Sequence, residues 1–454
     1  MSVTTRAAIV LAAGQGTRMR SRVPKVLHQL AGRTMIDHVL DTLAAAGVEQ
    51  VVVVTGHAAE AVEDGVAGRA STARQEPQRG TADAVRVGLA RLPASITQVI
   101  VAMGDAPLVP VEVYVALIGA QASGHEIALL SARMADSTGY GRIVRRAAGE
   151  VTAIVEERDA DAATRAIDEV NAGTYCFDAV WLRENVARAP ASASGEHYLT
   201  DLVGLAVADG RRVTALPAPR PELAMGINDR VGLAAAERIL RNEIAERHMR
   251  AGVSIVDPAS TFIDATVQIE ADARIEPFTI LRGETTIAAD AVIGPHAQIW
   301  DSTIGSRTSV WSSVIESSSV AEDVQIGPYS HVRPGCQIGP RCRIGNFAEL
   351  KKTSVGAGTQ QHHFSYLGDA EVGEEVNIGA GAVTANYDGH TKHRTVIGDG
   401  AFIGVDTMLR APVTVGPGAR TGAGAVVTRD VAPGKTVVGM PARPIELRRR
   451  SRDG

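Results

Sequence analysis

The sequence predicts an α/β domain followed by a parallel β-helix. In the first half, short β-branched runs alternate with helix-like segments, and in the second half an aliphatic residue returns at every sixth position. The composition agrees, because 46 glycines accompany only six Phe, three Trp and seven Tyr, so small aliphatic side chains must fill part of the core. A chain of 454 residues exceeds the size at which one core keeps growing, so we expect at least two domains.

Residues 1–227 have the pattern of a sheet covered by helices. The alternating segments are, in chain order, AAIVLAAG, TMIDHVLDTLAAAG, QVVVVTGH, TADAVRVGLARL and QVIVAMGD. Strands and helices that alternate at this spacing are typical of a parallel sheet with helices on its faces. We therefore predict an α/β domain over 1–227.

Residues 228–251 are predicted to form a linker helix. The segment is rich in Ala, Leu, Ile, Glu and Arg, it contains no proline, and its last glycine is Gly232. Most of these residue types are strong helix formers, so we expect a helical connection between two domains.

Residues 252–454 repeat with a period of six. The aliphatic registers are Ile263, Ile269, Ile275, Leu281, Ile287, Ile293 and Ile299; Val320, Ile326, Val332, Ile338, Ile344 and Leu350; and Ile397, Ile403, Leu409, Val415, Thr421 and Val427. Six residues rotate a side chain by about 240° on an α-helix, so these residues cannot share a helical face. Short parallel strands with a glycine turn after each strand satisfy the pattern, as in a β-helix of roughly eighteen residues per three-sided coil. Residues 255–437 would make about ten coils.

The repeat is interrupted near 311–319, at 360–367 and at 384–395. Segments that leave such a column are where functional residues are expected. We expect the adjacent His362 and His363 to lie on a protruding loop.

Charge and cysteine content exclude several classes of protein. The net charge of −5 gives no reason to expect nucleic acid or an acidic membrane surface as a partner. Three cysteines without CxxC spacing (Cys176, Cys336 and Cys342) fit a reducing compartment and argue against a disulfide framework or a zinc site. The N-terminal apolar run is too short for a signal peptide, and no apolar stretch is long enough to cross a bilayer. We expect a cytoplasmic protein without membrane insertion.

A glycine-rich turn follows the first predicted strand, in LAAGQGTRM. Read alone, this G-x-G is a tight strand-to-helix turn. In its context, the backbone N–H groups of 13–17 would face an anion, and Arg18 and Lys25 add two positive charges, which indicates a triphosphate cradle. Asp105 comes just past a buried strand, where open α/β sheets bind ligands, although an Asp there is also an ordinary turn former.

The second candidate site surrounds the histidine pair. Adjacent histidines on a loop are usually solvated, but Arg333, Lys351, Tyr366 and Lys392 are cations or polar groups on an otherwise aliphatic column. They would suit a phosphorylated amino sugar. The ordinary pKa of histidine, near 6.5, suits a general base at neutral pH.

Motifs in both halves resemble one known family. In the first half these are LAAGxGTRM with PKVL, GD after an apolar strand, TGYGRI, IVEE, VNAGTY and GINDR; in the second half they are RPG, NFAELKK, HxxYLGD, NIGAG and NYDG. The first set resembles the sugar nucleotidyltransferases. Together they resemble the bifunctional N-acetylglucosamine-1-phosphate uridyltransferase/glucosamine-1-phosphate N-acetyltransferase family. The implied fold is a Rossmann-like nucleotidyltransferase domain followed by a left-handed parallel β-helix, over 1–227, 228–251 (linker helix) and 252–454.

The resemblance implies the residues of a uridylyltransferase site. Arg18 and Lys25 would hold the phosphates of UTP, and Asp105 and Asn228 would hold Mg²⁺, an ion that suits two protein ligands. The other nucleotide and sugar contacts would be Leu11, Ala12, Ala13 and Gly14 in the turn; Gln75, Gly80 and Thr81 at the base; and Gly141, Glu156 and Asn171 at the N-acetyl sugar of N-acetylglucosamine 1-phosphate. Asp83 stands where relatives often carry His, a departure in the base-contact segment.

The resemblance also implies an acetyltransferase site. His363 would be the general base toward glucosamine 1-phosphate and acetyl-CoA, and Ala423 would lie on the acetyl-CoA path. The sugar phosphate would be bound by Arg333, Lys351, Tyr366, Asn377 and Lys392, with Asn386 and Tyr387 shaping the site. Val405 and Met440 replace a serine and a basic residue that are common at these positions of the family. Arg443 or the tail ELRRRSRDG could meet the CoA phosphates, or the tail could be solvated. The family assembles as a homotrimer.

Two other hypotheses keep the fold but reduce the function. In one, the chain is a monofunctional sugar-1-phosphate nucleotidyltransferase whose column is structural or regulatory. In the other, the column is a trimerisation scaffold with a decayed acetyl site. The presence of His363 and of NYDG argues against the first, and the Val405 and Met440 departures are the only support for the second.

Overall fold

The computed structural model describes residues 5–192 and 195–439. The chain divides into two compact units between Leu240 and Arg241. The first unit contains strands β1 (Arg6–Leu11), β2 (Gln29–Leu30), β3 (Arg33–Thr34), β4 (Gln50–Thr55), β5 (Ser71–Arg74), β6 (Gln98–Met103), β7 (Ile127–Arg133), β8 (Arg142–Arg145), β9 (Val151–Val155), β10 (Glu169–Asp178) and β11 (Val213–Pro217). Its helices are α1 (Met35–Ala45), α2 (Ala59–Gly65), α3 (Thr81–Leu89), α4 (Val111–Ala122), α5 (Ala162–Arg165), α6 (Ala179–Asn185) and α7 (Asp201–Ala208), and α8 (Arg230–Arg250) spans the division.

The main sheet of the first unit has the order β11-β7-β10-β6-β1-β4-β5, with the β8–β9 hairpin attached to β10. Side chains alternate along β1, so that Ala7, Ile9 and Leu11 pack into one core layer while Ala8 and Val10 pack into the other. The chain runs from β1 to β4 and β5 on one side and then crosses to β6 on the other. This reversal of strand order opens a crevice at the carboxyl ends of β1 and β6.

The expected parallel pairing holds for β1, β4, β5 and β6 but not for the whole sheet. Strand β10 is antiparallel to both β6 and β7, and β8 and β9 form an antiparallel pair. Strand direction depends on how each connection crosses the sheet, which the apolar pattern of a buried strand does not report. The register of β10 against β7 also shifts between Asn171 and Tyr175.

The second unit contains a three-sided parallel β-helix, which we call the column. Its first face consists of Ser254–Ile255, Arg274–Ile275, Val292–Ile293, Ser309–Val310, Gln325–Ile326, Arg343–Ile344, Gln360–Gln361, Asn377–Ile378, Phe402–Ile403, Arg420–Thr421 and Thr436–Val437. Its second face consists of Phe262–Ile263, Ile280–Arg282, Gln298–Trp300, Val314–Glu316, His331–Val332, Ala348–Lys351, Ser365–Gly368, Val383–Ala385, Met408–Arg410 and Val426–Val427. Its third face consists of Gln268–Ile269, Thr286–Ile287, Thr303–Ile304, Ser319–Val320, Gln337–Ile338, Ser354–Val355, Ala370–Val372, Thr395–Ile397 and Val413–Val415.

The six-residue registers fill the interior of the column, which we call the bore. Every residue of the three predicted registers is buried, with exposed fractions between 0% and 8%. The period prediction is therefore confirmed, and one side chain per strand fills the narrow bore.

Only one of the three predicted interruptions leaves the column. Around 311–319 the coils shorten, so that Gln298 pairs with Val314 only sixteen positions later. At 360–367 the chain stays in the column, because Ala348 pairs with Ser365 and Tyr366 pairs with Val383. At 384–395 the chain does leave, and 386–394 connects the second face to the third. No helix in the described residues is long and apolar enough to cross a membrane.

Candidate active sites

The carboxyl ends of β1 and β6 border a cavity of about 470 Å³. Eight predicted site residues line it: Leu11, Ala12, Ala13, Gly14, Lys25, Gln75, Gly80 and Thr81. Asp105, the predicted metal ligand, lines it as well. Two separate stretches of sequence predicted to bind one nucleotide therefore meet in a single cavity.

The turn after β1 presents backbone donors to this cavity. Gly16 has φ +61, and a Cβ at this position would lie 2.8 Å from Cβ of Lys25, so the turn needs glycine. In the described parts of the chain, no acceptor bonds the N–H groups of Ala13, Gly14 and Gln15. Such a row of unengaged donors can bind an anion.

Lys25, Asp105 and Asn228 meet at the rim of the crevice. The Lys25 ammonium forms an ion pair with Asp105 and donates to Asn228 Oδ1 at 3.1 Å. Asn228 is held in place because its Nδ2 donates to the Gly226 carbonyl at 3.1 Å and Ile227 N donates to the Asp105 carbonyl at 2.9 Å. One carboxylate oxygen and one amide oxygen thus bind the same cation, the Lys25 ammonium.

This pair of oxygens fits Mg²⁺, which is bound in proteins through one or two side-chain oxygens, substrate phosphates and water. Searched across the described residues, the chain shows no group of three His, Cys, Asp or Glu side chains that could hold a metal by themselves.

The predicted base-contact residues form one hydrogen-bonded group. Gln75, 4% exposed, uses Nε2 to donate to the Gly80 carbonyl at 2.9 Å and to Asp83 Oδ2 at 3.0 Å. Thr81 Oγ1 accepts from Leu199 N at 2.9 Å, which fixes the start of α3. Burial alone would raise the pKa of Asp83, yet hydrogen bonds from Gln75 and Arg86 hold it below its usual range. Asp83 is therefore an ionised acceptor that orients the Gln75 amide.

The predicted sugar-binding residues also come together. Asn171 N donates to the Gly141 carbonyl at 2.8 Å, and a Cβ on Gly141 would lie 3.4 Å from Glu156 Oε1. The register shift in β10 carries Asn171, whose Oδ1 accepts from Gly173 N at 3.1 Å. A Cβ on Gly173 would lie 3.0 Å from Met103, which lines the cavity at the ends of β1 and β6. The sugar group is thus adjacent to that cavity.

Among the predicted sugar-binding residues Gly141, Glu156 and Asn171, only Glu156 has a titratable side chain. Burial raises its pKa, the negative charges of Asp201 and Asp159 raise it further, and a hydrogen bond from Thr200 at 2.8 Å opposes them.

Arg18 is exposed on the short 3₁₀ helix Thr17–Met19 and is not part of the cavity lining. It still lies in the field of the site. Burial, followed by the negative charge of Asp105, raises the pKa of the Tyr140 phenol, and the positive charge of Arg18 opposes this rise.

The cavity lining contains seven residues that the sequence prediction missed: Gln15, Val26, Gln78, Ala84, Met103, Glu196 and Tyr198. Gln78 Nε2 donates to the Ala13 carbonyl at 2.7 Å and Tyr198 Oη donates to Glu196 at 2.9 Å. Gln78 lies between the predicted base contacts Gln75 and Gly80 in the sequence and could have been found there. Tyr198 and Glu196 come from a distant segment, and no pattern in the sequence links them to the turn.

On the column, predicted cations gather at the second face. Arg333 Nη1 pairs with Glu349 at 2.9 Å, and Glu349 pairs in register with Tyr366. The pKa of Lys351 lies below its usual range, first because Lys392 contacts its side chain, and also because Arg333 adds positive charge. Clustered cations that raise the energy of one another's charges form a site for an anion.

The segment 386–394 carries the predicted residues Asn386, Tyr387 and Lys392, of which Asn386 and Lys392 belong to this cluster. Asn386 Nδ2 donates to Asp369 Oδ2 at 2.5 Å, and a Cβ on Gly368 would lie 2.3 Å from Tyr366 Oη and 2.7 Å from Asn386 Nδ2. Tyr387 and Lys392 form an isolated antiparallel bridge. Gly368 thus leaves room for Tyr366 and Asn386 to lie side by side.

His363 lies at the corner between the first and second faces, which we call the first corner. The prediction that it projects on a loop is wrong, because strands Gln360–Gln361 and Ser365–Gly368 flank it on either side. The corner residues are exposed, and the His362 and His363 ring centroids lie 6.4 Å apart.

Val405 and Ala423 occupy the same corner in later coils. Backbone hydrogen bonds run from coil to coil along it, from Gly381 N to the Phe364 carbonyl, from Asp406 N to the Ala380 carbonyl and from Gly424 N to the Val405 carbonyl. Val405 is 47% exposed. The predicted acetyl-CoA path is therefore a continuous edge of the column. Met440, Arg443 and the tail ELRRRSRDG lie outside the described residues.

Within the described part of this chain, no hydrogen bond or ion pair joins His363 to the cation cluster. Asn377 stands on the first face, in register with Gln360 and Phe402, and among the described residues its side chain forms no hydrogen bond with the cluster. The structure therefore gathers Arg333, Lys351, Tyr366, Asn386 and Lys392, and leaves His363 and Asn377 beside them on the adjoining corner and face.

Comparison with known proteins gives matches in both units. Residues 8–175 match the model of the MobA-like NTP transferase domain family, and residues 317–352 and 394–429 match the bacterial transferase hexapeptide model. The fold prediction, a Rossmann-like nucleotidyltransferase domain followed by a left-handed parallel β-helix of hexapeptide repeats, is confirmed.

Full-length relatives are also similar to this chain. Proteins named Bifunctional protein GlmU from Brevibacillus brevis, Geobacillus thermodenitrificans and Thermobifida fusca are each 46% identical to it. The alignments cover 93%, 97% and 98% of this chain and 92%, 96% and 94% of the respective relatives.

Proposed function

The chain belongs to the bifunctional GlmU family, and we propose that it makes UDP-N-acetylglucosamine in two steps. The first step transfers the acetyl group of acetyl-CoA to the amine of glucosamine 1-phosphate. The second transfers uridylyl from UTP to N-acetylglucosamine 1-phosphate and releases pyrophosphate. The observation that carries the proposal is that one chain holds both a lysine–carboxylate–amide cluster at the edge of an α/β sheet and a cation cluster on a hexapeptide column.

In the uridylyl step, an oxygen of the sugar phosphate forms a bond to the α-phosphorus of UTP while the bond to pyrophosphate breaks. Both reactants are anions, so the site has to offset their charge. We assign this role to Lys25, Arg18 and the free N–H groups of Ala13 and Gly14. No protein nucleophile is needed.

Asp105 and Asn228 would hold Mg²⁺, since their oxygens already converge on one cation. When bound, this ion supplies positive charge to the phosphate oxygens. Lys25 would then leave this pair for the phosphates of UTP. Gln75 and Gly80 face the base, and Glu156 and Asn171 face the N-acetyl sugar.

In the acetyl step, the amine nitrogen attacks the thioester carbonyl and the CoA thiolate leaves. His363 accepts the proton that the amine loses. Arg333, Lys351 and Lys392 hold the sugar phosphate, because these cations crowd one another and an incoming dianion relieves their repulsion. Val405 and Ala423 border the path of acetyl-CoA along the first corner, and we extend this assignment to Met440.

We also propose that the chain works as a homotrimer. Support comes from the column itself, where His363 and the cation cluster occupy different edges of the second face and a neighbouring column could close the space beside them. The three free cysteines suit a reducing compartment, so we propose that the reaction takes place in the cytoplasm.

The test is an assay of the purified protein with glucosamine 1-phosphate, acetyl-CoA, UTP and Mg²⁺. We expect thiol release from acetyl-CoA, followed by release of pyrophosphate. Pyrophosphate release from UTP and N-acetylglucosamine 1-phosphate without any thiol release would leave a monofunctional nucleotidyltransferase. Absence of both products would refute the proposal.

A further inference from the structure

Gln361 is a buried polar residue in the bore of the column. It is 0% exposed, and the same position in the coils on either side is occupied by Ile344 and Ile378. An amide that replaces an aliphatic side chain in such a place lowers stability unless its polar atoms are bonded. Gln361 Oε1 has no hydrogen-bond partner in the described structure, so the bore does not gain stability from this residue in any evident way.

The other end of the Gln361 amide leads to His363. Gln361 Nε2 donates to Ser365 Oγ at 2.9 Å, and Ser365 Oγ donates to the His363 carbonyl at 2.9 Å. A serine hydroxyl has one proton, so when its oxygen accepts from Gln361 its single donor bond is directed elsewhere. The chain of bonds therefore runs in one direction, from the bore to the backbone of the histidine corner.

Two earlier coils show the partners that the corresponding serine has when the bore residue is aliphatic. Ser330 precedes His331, which aligns through Glu349 with Tyr366, so Ser330 corresponds to Ser365. The bore residue of that coil is Ile326, and the Ser330 hydroxyl donates to the carbonyl of Gly345, in the next coil. One coil before that, the corresponding Ser313 hydroxyl donates to the Trp311 carbonyl at 2.9 Å, at its own corner, although the bore residue there is Val310. The Ser365 hydroxyl makes the same bond back to its own corner, and Gln361 adds a side-chain donor from the bore to the Ser365 oxygen.

We propose that Gln361 is a positioning residue for His363 in acetyl transfer. Through Ser365 it fixes the backbone carbonyl of the histidine, and hence the direction in which the imidazole leaves an exposed corner. Glutamine in the bore stabilises this coil less than an aliphatic side chain would, and in this proposal it is retained because it constrains the histidine. The inference rests on the proposed acetyltransferase function and deepens it.

The test replaces Gln361 with Ile, the residue that neighbouring coils use. We expect the melting temperature of Gln361→Ile to stay the same or rise, while kcat for thiol release falls about tenfold, a typical cost of misplacing a reacting group. KM for glucosamine 1-phosphate and the rate of pyrophosphate release from UTP should not change. Gln361→Met, which keeps the side-chain length, should behave in the same way and serves if the Ile variant does not fold.

Two further variants separate positioning from general disturbance. Ser365→Ala removes the hydroxyl that links Gln361 to the His363 carbonyl, and we expect it to lower kcat for thiol release to the same extent. The double variant Gln361→Ile/Ser365→Ala should have a kcat no lower than either single variant, because both residues act through one chain of hydrogen bonds. Ile344→Val, a bore change in the preceding coil, should leave kcat unchanged. Unchanged acetyl kcat in folded Gln361→Ile or Gln361→Met would overturn the inference. Absence of thiol release in the wild-type protein would instead refute the proposed function.

Discussion

Glu156 illustrates how burial changes the chemistry of a single side chain. Its pKa is raised, chiefly by burial, so it takes up a proton at a higher pH than an ordinary glutamate with a pKa of 4.5. Protonation removes the charge of a group proposed to accept hydrogen bonds from the N-acetyl sugar. We therefore expect KM for N-acetylglucosamine 1-phosphate to rise as the pH falls, beginning above pH 4.5.

The measurement is the pH profile of KM in the pyrophosphate-release assay. In Glu156→Gln the profile should lose this limb, and KM at neutral pH should be about 10- to 100-fold higher, as expected for losing a hydrogen bond to a charged group. KM for UTP serves as the internal control. A Glu156→Gln variant with the wild-type pH profile would exclude this carboxyl from sugar binding.

Asp83 contacts Gln75, the proposed base contact in the cavity at the ends of β1 and β6. Because its pKa is low, the carboxylate only accepts hydrogen bonds, so the Gln75 amide must present nitrogen to it and oxygen elsewhere. An amide oxygen can accept from N3–H of uracil but not from N3 of cytosine, which has no proton. We expect Asp83→Asn, which no longer fixes the amide, to narrow the ratio of kcat/KM for UTP over CTP by about tenfold.

Arg86→Gln is the matched control for this change. Arg86 is more than half exposed and donates to Asp83 Oδ1 at 2.6 Å, and among the described residues it forms no hydrogen bond with Gln75. Its removal should alter the UTP/CTP ratio little. An unchanged ratio in Asp83→Asn would mean that Gln75 is oriented by the Gly80 carbonyl alone.

At the scale of elements, the column was predictable because an aliphatic side chain fills the bore on nearly every strand. The prediction of the coils failed where the bore residue is polar or where the coil length changes. Gln361 and Thr384 stand in the bore at 0% and 1% exposure, so the aliphatic period disappears there although the coil continues. At the first corner, His362 replaces the glycine found in neighbouring coils as Gly345 and Gly379. The sequence therefore resembles a loop where the structure has a corner.

The α/β domain has a similar limit. The apolar runs predicted its strands, and the turn after β1 was identified from its glycines and cations. The antiparallel direction of β10 and the register shift that carries Asn171 were not predictable, because both depend on contacts with β6 and β7 that are distant in sequence. The place of Tyr198 in the lining of the cavity at the ends of β1 and β6 was not predictable for the same reason.

A charged substitution in the bore tests the predicted architecture of the column. Ile338 is 3% exposed, and replacing it with Asp would bury an unpaired carboxylate, at a cost of several kcal/mol. We expect Ile338→Asp to lower the melting temperature of the column and to abolish thiol release. Gln337→Asp, on the exposed side of the same strand, should melt like the parent. A parent-like melting curve for Ile338→Asp would contradict the placement of Ile338 in the bore.

For the whole molecule, the sequence predicts two unlike scaffolds, and each has its own functional cluster. The α/β cluster is built from the ends of β1 and β6, whereas the column cluster is built from residues of successive coils, and no residue belongs to both. Family resemblance was needed to connect them, since nothing in the composition or in the two periods shows that the product of one site is the substrate of the other.

Two separate sites on one chain should be separable by single substitutions. Asp105→Ala removes a proposed metal ligand and should abolish pyrophosphate release while thiol release continues. His363→Ala removes the proposed base and should do the reverse.

Neither protein alone should convert glucosamine 1-phosphate, acetyl-CoA and UTP into UDP-N-acetylglucosamine. Mixed together they should, because N-acetylglucosamine 1-phosphate released by the first variant can bind to the second. The rate should then depend on the concentration of the free intermediate, and a trap that hydrolyses this sugar phosphate should suppress product formation. If the mixture of two folded variants stayed inactive, or if either substitution silenced both half-reactions, the two sites would not be independent.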